Sequence, residues 1–191
     1  MVLFVALIVL VVMALTGLAM IRQSGSGLSI AGNLGIRQGA VSGADLGTEA
    51  AMTWLKPMLS AGGNALDSDI AGQAYYSDWG SSDASRLNGD PTLYSAADWG
   101  NSVLVTGNDG TGNEVRYIVE RLCLLNGIAQ SDPTQKCVET TLSDGNDKSG
   151  TCDNYPKSCP PPPSVVHYRV STRVKGPRNT VSYIQVMLVP T

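Results

Sequence analysis

The chain has 191 residues, with 13 basic and 16 acidic side chains and a formal net charge of -3. This length fits one ordinary domain with an accessory segment, and the weakly negative charge argues against a nucleic-acid partner. Glycine (21) and proline (10) are plentiful, which indicates a chain rich in turns.

The first stretch, Met1 to Ile21, is apolar and contains no charged residue before Arg22. A helix of this length, at about 1.5 Å per residue, spans roughly 30 Å, the thickness of a bilayer hydrocarbon core. A secretory signal peptide would carry a basic leader, a shorter apolar core and a small-residue cleavage site, and the stretch shows none of them. We predict an apolar membrane or filament-core helix over residues 1–23.

The charges beside this helix conflict with the cysteines of the body. Arg22 and Arg37 both follow the apolar stretch, which by the positive-inside rule places the body in the cytosol. Four cysteines in a turn-rich setting favour an oxidising compartment instead. A short basic leader, cut off just before Met1, would reconcile the two, and we therefore expect a processed chain that begins with its apolar helix.

Residues 24–60 are predicted to form a glycine-rich and then amphipathic helix. Each interior glycine costs roughly 1 kcal/mol relative to alanine, so we expect a break between Ser24 and Gly35. A plain linker is the alternative. Glycines at three- and four-residue spacing share one face, on which a neighbouring helix could approach closely. These helix-packing glycines are Gly32, Gly35, Gly39 and Gly43.

Helical order is expected to recover from Ile36, because apolar residues recur at three-, four- or seven-residue intervals and would pack under a sheet. Pro57 and Gly62–Gly63 should then end the helix. Asp45 and Glu49 lie on the other side as solvated charges, with pairing between subunits as the alternative. The apolar stripe consists of Val41, Ala44, Ala51, Leu55 and Met58.

Residues 64–113 are dense in Asp, Ser, Asn and Gly, which indicates turns. Irregularly spaced large side chains should fold this segment onto the domain as a compact surface loop. Asn108, Asp109, Asn113 and Glu114 offer oxygen ligands without the fixed spacing of a calcium loop, so we predict no metal site. The large side chains are Tyr75, Tyr76, Trp79, Leu87, Leu93, Tyr94 and Trp99.

An antiparallel sheet of about four strands is predicted in the second half of the chain. The run from Val165 to Val174 alternates, with even-numbered residues on a dry face and His167, Arg169, Ser171 and Arg173 on a polar face. Long helix and sheet together predict an α+β fold, with residues 61–191 as the globular head. The strand candidates are Val103–Val105, Val115–Leu122, Val165–Val174 and Thr180–Val189.

The cysteines stand at positions 123, 137, 152 and 159. Zinc sites prefer close pairs, and no histidine lies between these cysteines, so two disulfides are predicted. Three pairings are open. We favour Cys123–Cys137 with Cys152–Cys159, because each closes a short loop, and the proline run after Cys159 then acts as an extended spacer.

Catalytic signatures are absent from the sequence. The one histidine, His167, falls on the polar side of a predicted strand, where an exposed structural residue is expected. The chain has no phosphate-binding glycine loop with Lys-Ser/Thr, no Gly-x-Ser-x-Gly elbow and no dinucleotide fingerprint. We predict that the protein is not an enzyme and holds no cofactor.

The N-terminal residues carry a family resemblance. The run VLFVALIVLVVMALTGLAMIRQ, followed by Ile30–Asn33, Arg37 and Thr48–Ala51, resembles the N-terminal region of PilX-type minor pilins, within the type IV pilins. The resemblance ends near Trp54. It implies the pilin fold, a long N-terminal helix packed on an antiparallel sheet with disulfide-bounded loops. Its assembly helix would contain Met1, Val5, Leu10, Leu15, Gly17 and Arg22.

One departure concerns Val5. Most pilins carry a glutamate as the fifth mature residue, which pairs with the N-terminal amine of a neighbouring subunit, and valine cannot form that pair. PilX-type pilins are similar to this chain in having an apolar residue there. An ionisable group inside a membrane helix costs a few kcal/mol, so its loss favours membrane residence and removes a register device.

The resemblance implies a structural subunit of a type IV pilus or related filament. Such a subunit resides in the bacterial inner membrane before assembly and in an extracellular filament afterwards, and the methylation of Met1 stays open. Its partners would be other pilin subunits, in a homo- or hetero-polymer, and a tip adhesin. Minor, initiating and main subunit all stay open. The alternative is a periplasmic binding domain with a permanent single-span anchor.

Overall fold

The computed structural model describes residues 1–79, 86, 89–141 and 164–190, without the side chains of 21–26, 28, 29 and 178. The chain divides into two compact units, residues 1–39 and 40–191. This division falls inside the predicted segment 24–60. The architecture is α+β, as predicted, with an N-terminal apolar helix and a sheet of several strands.

Helix α1 covers Val2–Ala61. The predicted break between Ser24 and Gly35 is wrong, because the backbone is α-helical there. Glycine weakens a helix but keeps its backbone N–H group, so the helical hydrogen bond at that residue still forms. Proline lacks this group and loses the bond. Pro57 lies within the helix and does not end it. The helix ends before Gly62 and Gly63, whose positive φ angles of 64° and 81° no longer suit a helix.

The rest of the described chain forms short helices and strands. Short 3-10 turns cover Ala71–Gln73 and Pro177–Asn179. The elements are β1 (Tyr75–Tyr76), α2 (Ala96–Gly100), β2 (Val103–Thr106), β3 (Glu114–Arg121), β4 (Glu139–Thr141), β5 (Ser164–Val166), β6 (Tyr168–Lys175) and β7 (Val181–Leu188).

The main sheet has five strands in the order β1-β3-β6-β7, with β2 also paired to β3. Since β6 occupies one edge of β3 along its whole length, β1 and β2 share the other edge. The predicted purely antiparallel sheet is wrong in one respect, because β1 runs parallel to β3 and makes the sheet mixed. The predicted strands near β2, β3, β6 and β7 are confirmed, and β4 and β5 form a separate two-stranded sheet that the sequence did not predict.

In the second unit, α1 packs on one face of the main sheet. Ala51 and Leu55 join a buried cluster, and Ala44 joins another with Val115 and Val174. The predicted stripe is therefore confirmed at Ala44, Ala51 and Leu55. Val41 is the exception: 52% of it is exposed, because it lies beside the buried face formed by Ala40 and Ala44.

Glycines bring α1 close to the sheet in this unit. A Cβ atom added to Gly43 would lie 3.3 Å from Val174 and 3.4 Å from Val115. One added to Gly47 would lie 2.5 Å from the methyl carbon of Thr172. Gly43 and Gly47 lie about one helical turn apart on α1. Both let the helix approach the protein's own sheet closely.

The second face of the sheet is also covered, contrary to the predicted solvated polar face. Arg169 and Ser171 are buried there. Residues of the 64–113 segment pack on this side, with Tyr94, Trp99 and Ile118 forming a small apolar cluster. The compact loop predicted for this segment is therefore confirmed at Tyr94 and Trp99, whereas Leu93 is exposed and Leu87 lies outside the described residues.

A disulfide joins Cys123 and Cys137, which confirms one predicted pair. The second predicted pair, Cys152–Cys159, and the proline run after it lie outside the described residues. His167 separates β5 from β6, and its ring nitrogen Nε2 lies 2.6 Å from the Thr140 hydroxyl. The single strand predicted over Val165–Val174 is thus interrupted at His167.

Candidate assembly surface

The first unit carries a long run of exposed apolar residues. In the described part of the chain, Val2–Met20 is the one helix long and apolar enough to cross a membrane, with a mean hydropathy of 3.0. None of this stretch is buried within the protein. Fully burying a side chain such as leucine or valine stabilises a protein by about 1.5–3 kcal/mol, so a bare apolar helix of this length is unfavourable in water.

The proposed assembly residues are spread around this helix. Val5, Leu10 and Leu15 are all more than half exposed, and Met1 is fully exposed. A Cβ atom added at Gly17 would meet no atom within 4 Å. The side chain of Arg22 lies outside the described part of the structure. No single face of the helix is therefore committed to the protein's own core.

The one polar side chain in Val2–Met20 is satisfied within the helix. Thr16 donates its hydroxyl to the carbonyl oxygens of Val12 and Met13, at 3.1 and 2.9 Å. An unsatisfied hydroxyl in an apolar medium costs several kcal/mol, and these local bonds remove that penalty. The stretch Val2–Met20 therefore contains no polar side chain that lacks a hydrogen-bond partner.

The predicted helix-packing glycines do not act as one set. Gly32 and Gly35 are exposed, with open space where a Cβ atom would stand. Gly39 is half-buried, and Gly43 packs against the sheet of the head. The structure therefore leaves Gly32 and Gly35 free to contact another helix, whereas Gly43 serves the protein's own fold.

A buried ionic cluster holds the 64–113 segment, called the covering segment below, against the second face of the sheet. This cluster was not predicted from the sequence. The carboxylate of Glu120 is fully buried and accepts hydrogen bonds from Arg169 Nε at 2.8 Å and from the Tyr94 hydroxyl at 2.7 Å. Arg86 Nη1 lies 3.6 Å from the other carboxylate oxygen. Arg86 also pairs with Asp78 and Asp98, at 3.8 and 3.9 Å.

The electrostatics of this cluster follow from burial and charge. Burial raises the pKa of Tyr94, and the adjacent Glu120 carboxylate raises it further. Burial by itself would lower the pKa of Arg169, but its hydrogen bond and ion pair with Glu120 outweigh that effect and raise it. Both groups are held in their ordinary protonation states, so the cluster acts as a structural clamp.

A second clamp holds the start of the same segment. Arg121 donates to the Asp67 carboxylate at 2.6 Å, to the Ser77 carbonyl at 3.0 Å and to the Ile128 carbonyl at 2.8 Å. The sequence did carry a signal for the first clamp, since Arg169 falls on the polar side of the alternating run Val165–Val174. That pattern was interpreted as a solvated face, because alternation alone does not tell which faces another segment covers.

The described ranges contain no candidate metal centre. No group of three or more His, Cys, Asp or Glu side chains is placed there to hold a metal ion. The side-chain oxygens of Asn108 and Asp109 accept hydrogen bonds within a local turn. The backbone N–H of Gly110 donates to Asn108, and the backbone N–H of Thr111 donates to Asp109.

Comparison of the chain with protein families, curated proteins and solved structures finds no match. Two features characterise the chain. One is an exposed apolar helix long enough to cross a membrane, and the other is an α+β head with its own core and a disulfide.

Proposed function

We propose that the chain is a structural subunit of pilin type, which polymerises into a type IV pilus or related filament through its N-terminal apolar helix. The observation that carries the proposal is that none of Val2–Met20 is buried within the protein, while the head has its own packed core. Such a helix needs a partner surface, and the head does not supply it.

Lipid and neighbouring helices are the two covers that suit this surface. Both are apolar, and Val2–Met20 contains no charged side chain that would distinguish between them. The subunit would reside in the inner membrane before assembly. On assembly, its apolar helix would exchange contacts with lipid for contacts with neighbouring helices. The apolar surface that anchors the subunit then becomes the core of the filament, an extracellular fibre.

Packing rather than charge would set the helix register in this filament. Val5 leaves no carboxylate to pair with the N-terminal amine of a neighbour, and no other ionisable side chain lies in Val2–Met20. Gly17 offers open space in the apolar helix, and Gly32 and Gly35 offer it further along. Small residues at a helix surface let backbones approach closely and gain dispersion energy.

An anchored binding domain is the second candidate. It is favoured by a cleft of about 550 Å³ in the head, between the end of α1 and the strands β4 to β6. Asp67, Arg121 and Glu139 contribute charged groups to this cleft, while Met58 and Tyr168 contribute apolar surface. Clefts of this size that combine apolar walls with a few polar groups are typical of small-molecule sites.

Sheared surface fibres distinguish the two functions. Intact mass and N-terminal peptide mapping would quantify this chain in the fibres and test for a methylated Met1. Abundant methylated chain is expected for a main subunit, and a trace beside a different dominant pilin for a minor one. Absence of the chain from the fibres, with all of it left in membranes, would contradict the proposal and favour the anchored binding domain.

A matched pair of variants tests the role of the apolar surface. Leu10→Lys places a charge at the middle of the helix, which costs about 2.5–3.5 kcal/mol in membrane insertion. We expect it to reduce both the membrane-bound pool and the fibre-borne chain. Thr16→Val removes only a hydroxyl that is satisfied within the helix, so both pools should stay near wild-type levels. Equal amounts of the two variants in fibres would contradict a core position for this helix.

A further inference from the structure

Strand β7 ends the main sheet with an open edge. It pairs with β6 over eight residues, from Val181 to Leu188, with no shift in register. In the part of the chain that the structure describes, no strand pairs with its outer edge. Alternate residues of such a strand direct their N–H and C=O groups away from the sheet. β7 therefore presents a row of backbone donors and acceptors to a further strand.

The opposite edge of the sheet is protected, and β7 is not. There β1 has only two residues, and β2 has four with a bulge between Leu104 and Thr106. Natural proteins protect sheet edges with short strands, bulges, charged residues or proline. The sequence of β7, VSYIQVML, contains no charge and no proline, and its Met187 is 56% exposed. This asymmetry marks β7 as an edge suited to pairing.

An apolar trough of about 430 Å³ adjoins the end of β7 on the side of the sheet that α1 covers. Side chains of an added strand that point to this side would enter it, because successive side chains of a strand alternate between faces. The trough therefore favours an apolar residue at the position of the incoming strand that faces the end of β7. Its lining includes Met52, Leu55, Leu59, Val165, Leu188 and Val189.

Lys56 is the one charged side chain in the lining of the trough. It is exposed and forms no ion pair with any described residue. A carboxylate on the incoming strand, near the position opposite Leu188, would complement this charge. A second copy of β7 has no acidic residue to offer, so pairing of two β7 strands would leave the Lys56 charge without a partner.

We propose that the β7 edge and its trough bind an extended segment of a partner protein as an additional strand of the sheet. The segment carries an apolar side chain that enters the trough at the end of β7 and a carboxylate that meets Lys56. Backbone hydrogen bonds to β7 supply general affinity, and the trough and Lys56 supply specificity, as in other cases of strand addition. This surface belongs to the head and does not depend on how Val2–Met20 is covered.

The test uses the full chain in detergent micelles and a short fluorescent peptide in which valine alternates with threonine and aspartate stands at both ends. We expect saturable binding by fluorescence anisotropy and slower hydrogen exchange at outward-facing amides of β7. The matched peptide is N-methylated at the amides that would face β7, which keeps its side chains and removes its donors. It should not bind. Equal binding of both peptides, or unchanged exchange in β7, would overturn the proposal.

Charge reversal tests the role of Lys56. Lys56→Glu should weaken binding of the aspartate peptide roughly two- to fivefold, the range expected for an exposed ion pair, and should favour a peptide ending in lysine. Thr53→Glu adds a carboxylate on the same helix outside the trough and should leave the preference unchanged. Equal effects of both variants would overturn the charge assignment. Protection of β7 that rises with protein concentration, without peptide, would identify a second copy as the occupant instead.

Discussion

Glu120 and Arg169 face each other across β3 and β6, and Arg169 Nε donates to the Glu120 carboxylate at 2.8 Å although both side chains are buried. Tyr94 of the covering segment donates to the same carboxylate. A single buried acid therefore links two central strands to the segment that covers them.

Loss of the Glu120 charge is expected to destabilise the head strongly. Glu120→Gln removes the carboxylate that pairs with the buried Arg169 guanidinium group, and breaking a buried pair costs about 3–5 kcal/mol. Urea denaturation of the full chain in detergent measures the change. Glu139→Gln is the control, since this carboxylate is exposed on β4 and should change the free energy of unfolding little. Similar losses in both variants would contradict the clamp.

Two glycine substitutions should distinguish the effect of helix propensity on stability from the effect of packing against the sheet. Gly47→Ala gains helix propensity but places its Cβ 2.5 Å from the Thr172 methyl carbon and 3.2 Å from Val115. Overpacking of this kind costs about 1–3 kcal/mol, so we expect a net loss of unfolding free energy.

The matched control is Gly35→Ala, where a Cβ atom meets open space. It should raise helix content, because alanine favours a helix by about 1 kcal/mol over glycine. Far-UV circular dichroism and urea midpoints compare the two variants. A Gly47→Ala protein as stable as the wild type would show that α1 does not need this close approach to the sheet.

Asp109 should make the stability of the β2–β3 connection depend on pH. Hydrogen bonds from Thr111, and further ones from Asn113, hold the pKa of this carboxyl below its usual value. A depressed pKa in the folded state stabilises the fold above the ordinary aspartate pKa of about 3.9, and this stability is lost as the pH falls below it.

Urea midpoints measured at pH 5 and near pH 3 test this prediction. The drop in stability on acidification should be smaller in Asp109→Asn than in the wild type, because the asparagine does not titrate. Asp45→Asn, on the exposed side of α1, is the control. A wild-type-sized drop in Asp109→Asn would contradict the role of this turn.

The Cys123–Cys137 disulfide should contribute substantially to the stability of the head. It closes a loop between residues 14 positions apart, for which chain entropy predicts about 3 kcal/mol. Cys123→Ala with Cys137→Ala removes this bridge alone, whereas a chemical reductant acts on every disulfide. We expect a lower urea midpoint, together with faster proteolysis between residues 123 and 137. An unchanged midpoint would mean that the loop is ordered by its hydrogen bonds, such as those of Gln135 to Leu125 and Ile128.

Local patterns determined much of the fold. The apolar run to Met20, the alternation in β6 and the short cysteine loop each depend on neighbouring residues. The sequence by itself therefore determined the N-terminal helix, the strands β2, β3, β6 and β7, and one disulfide. Composition likewise determined that Val2–Met20 holds no ionisable side chain.

Only the tertiary structure decided which surfaces are covered. Gly43 faces the protein's own sheet, Arg169 is buried on a face expected to be solvated, and Tyr75–Tyr76 forms a parallel strand beside β3. Each of these depends on contacts between segments far apart in the chain. Periodicity records that a face is apolar or polar, whereas burial depends on which distant segment packs there, so these features emerge only when the whole head is assembled.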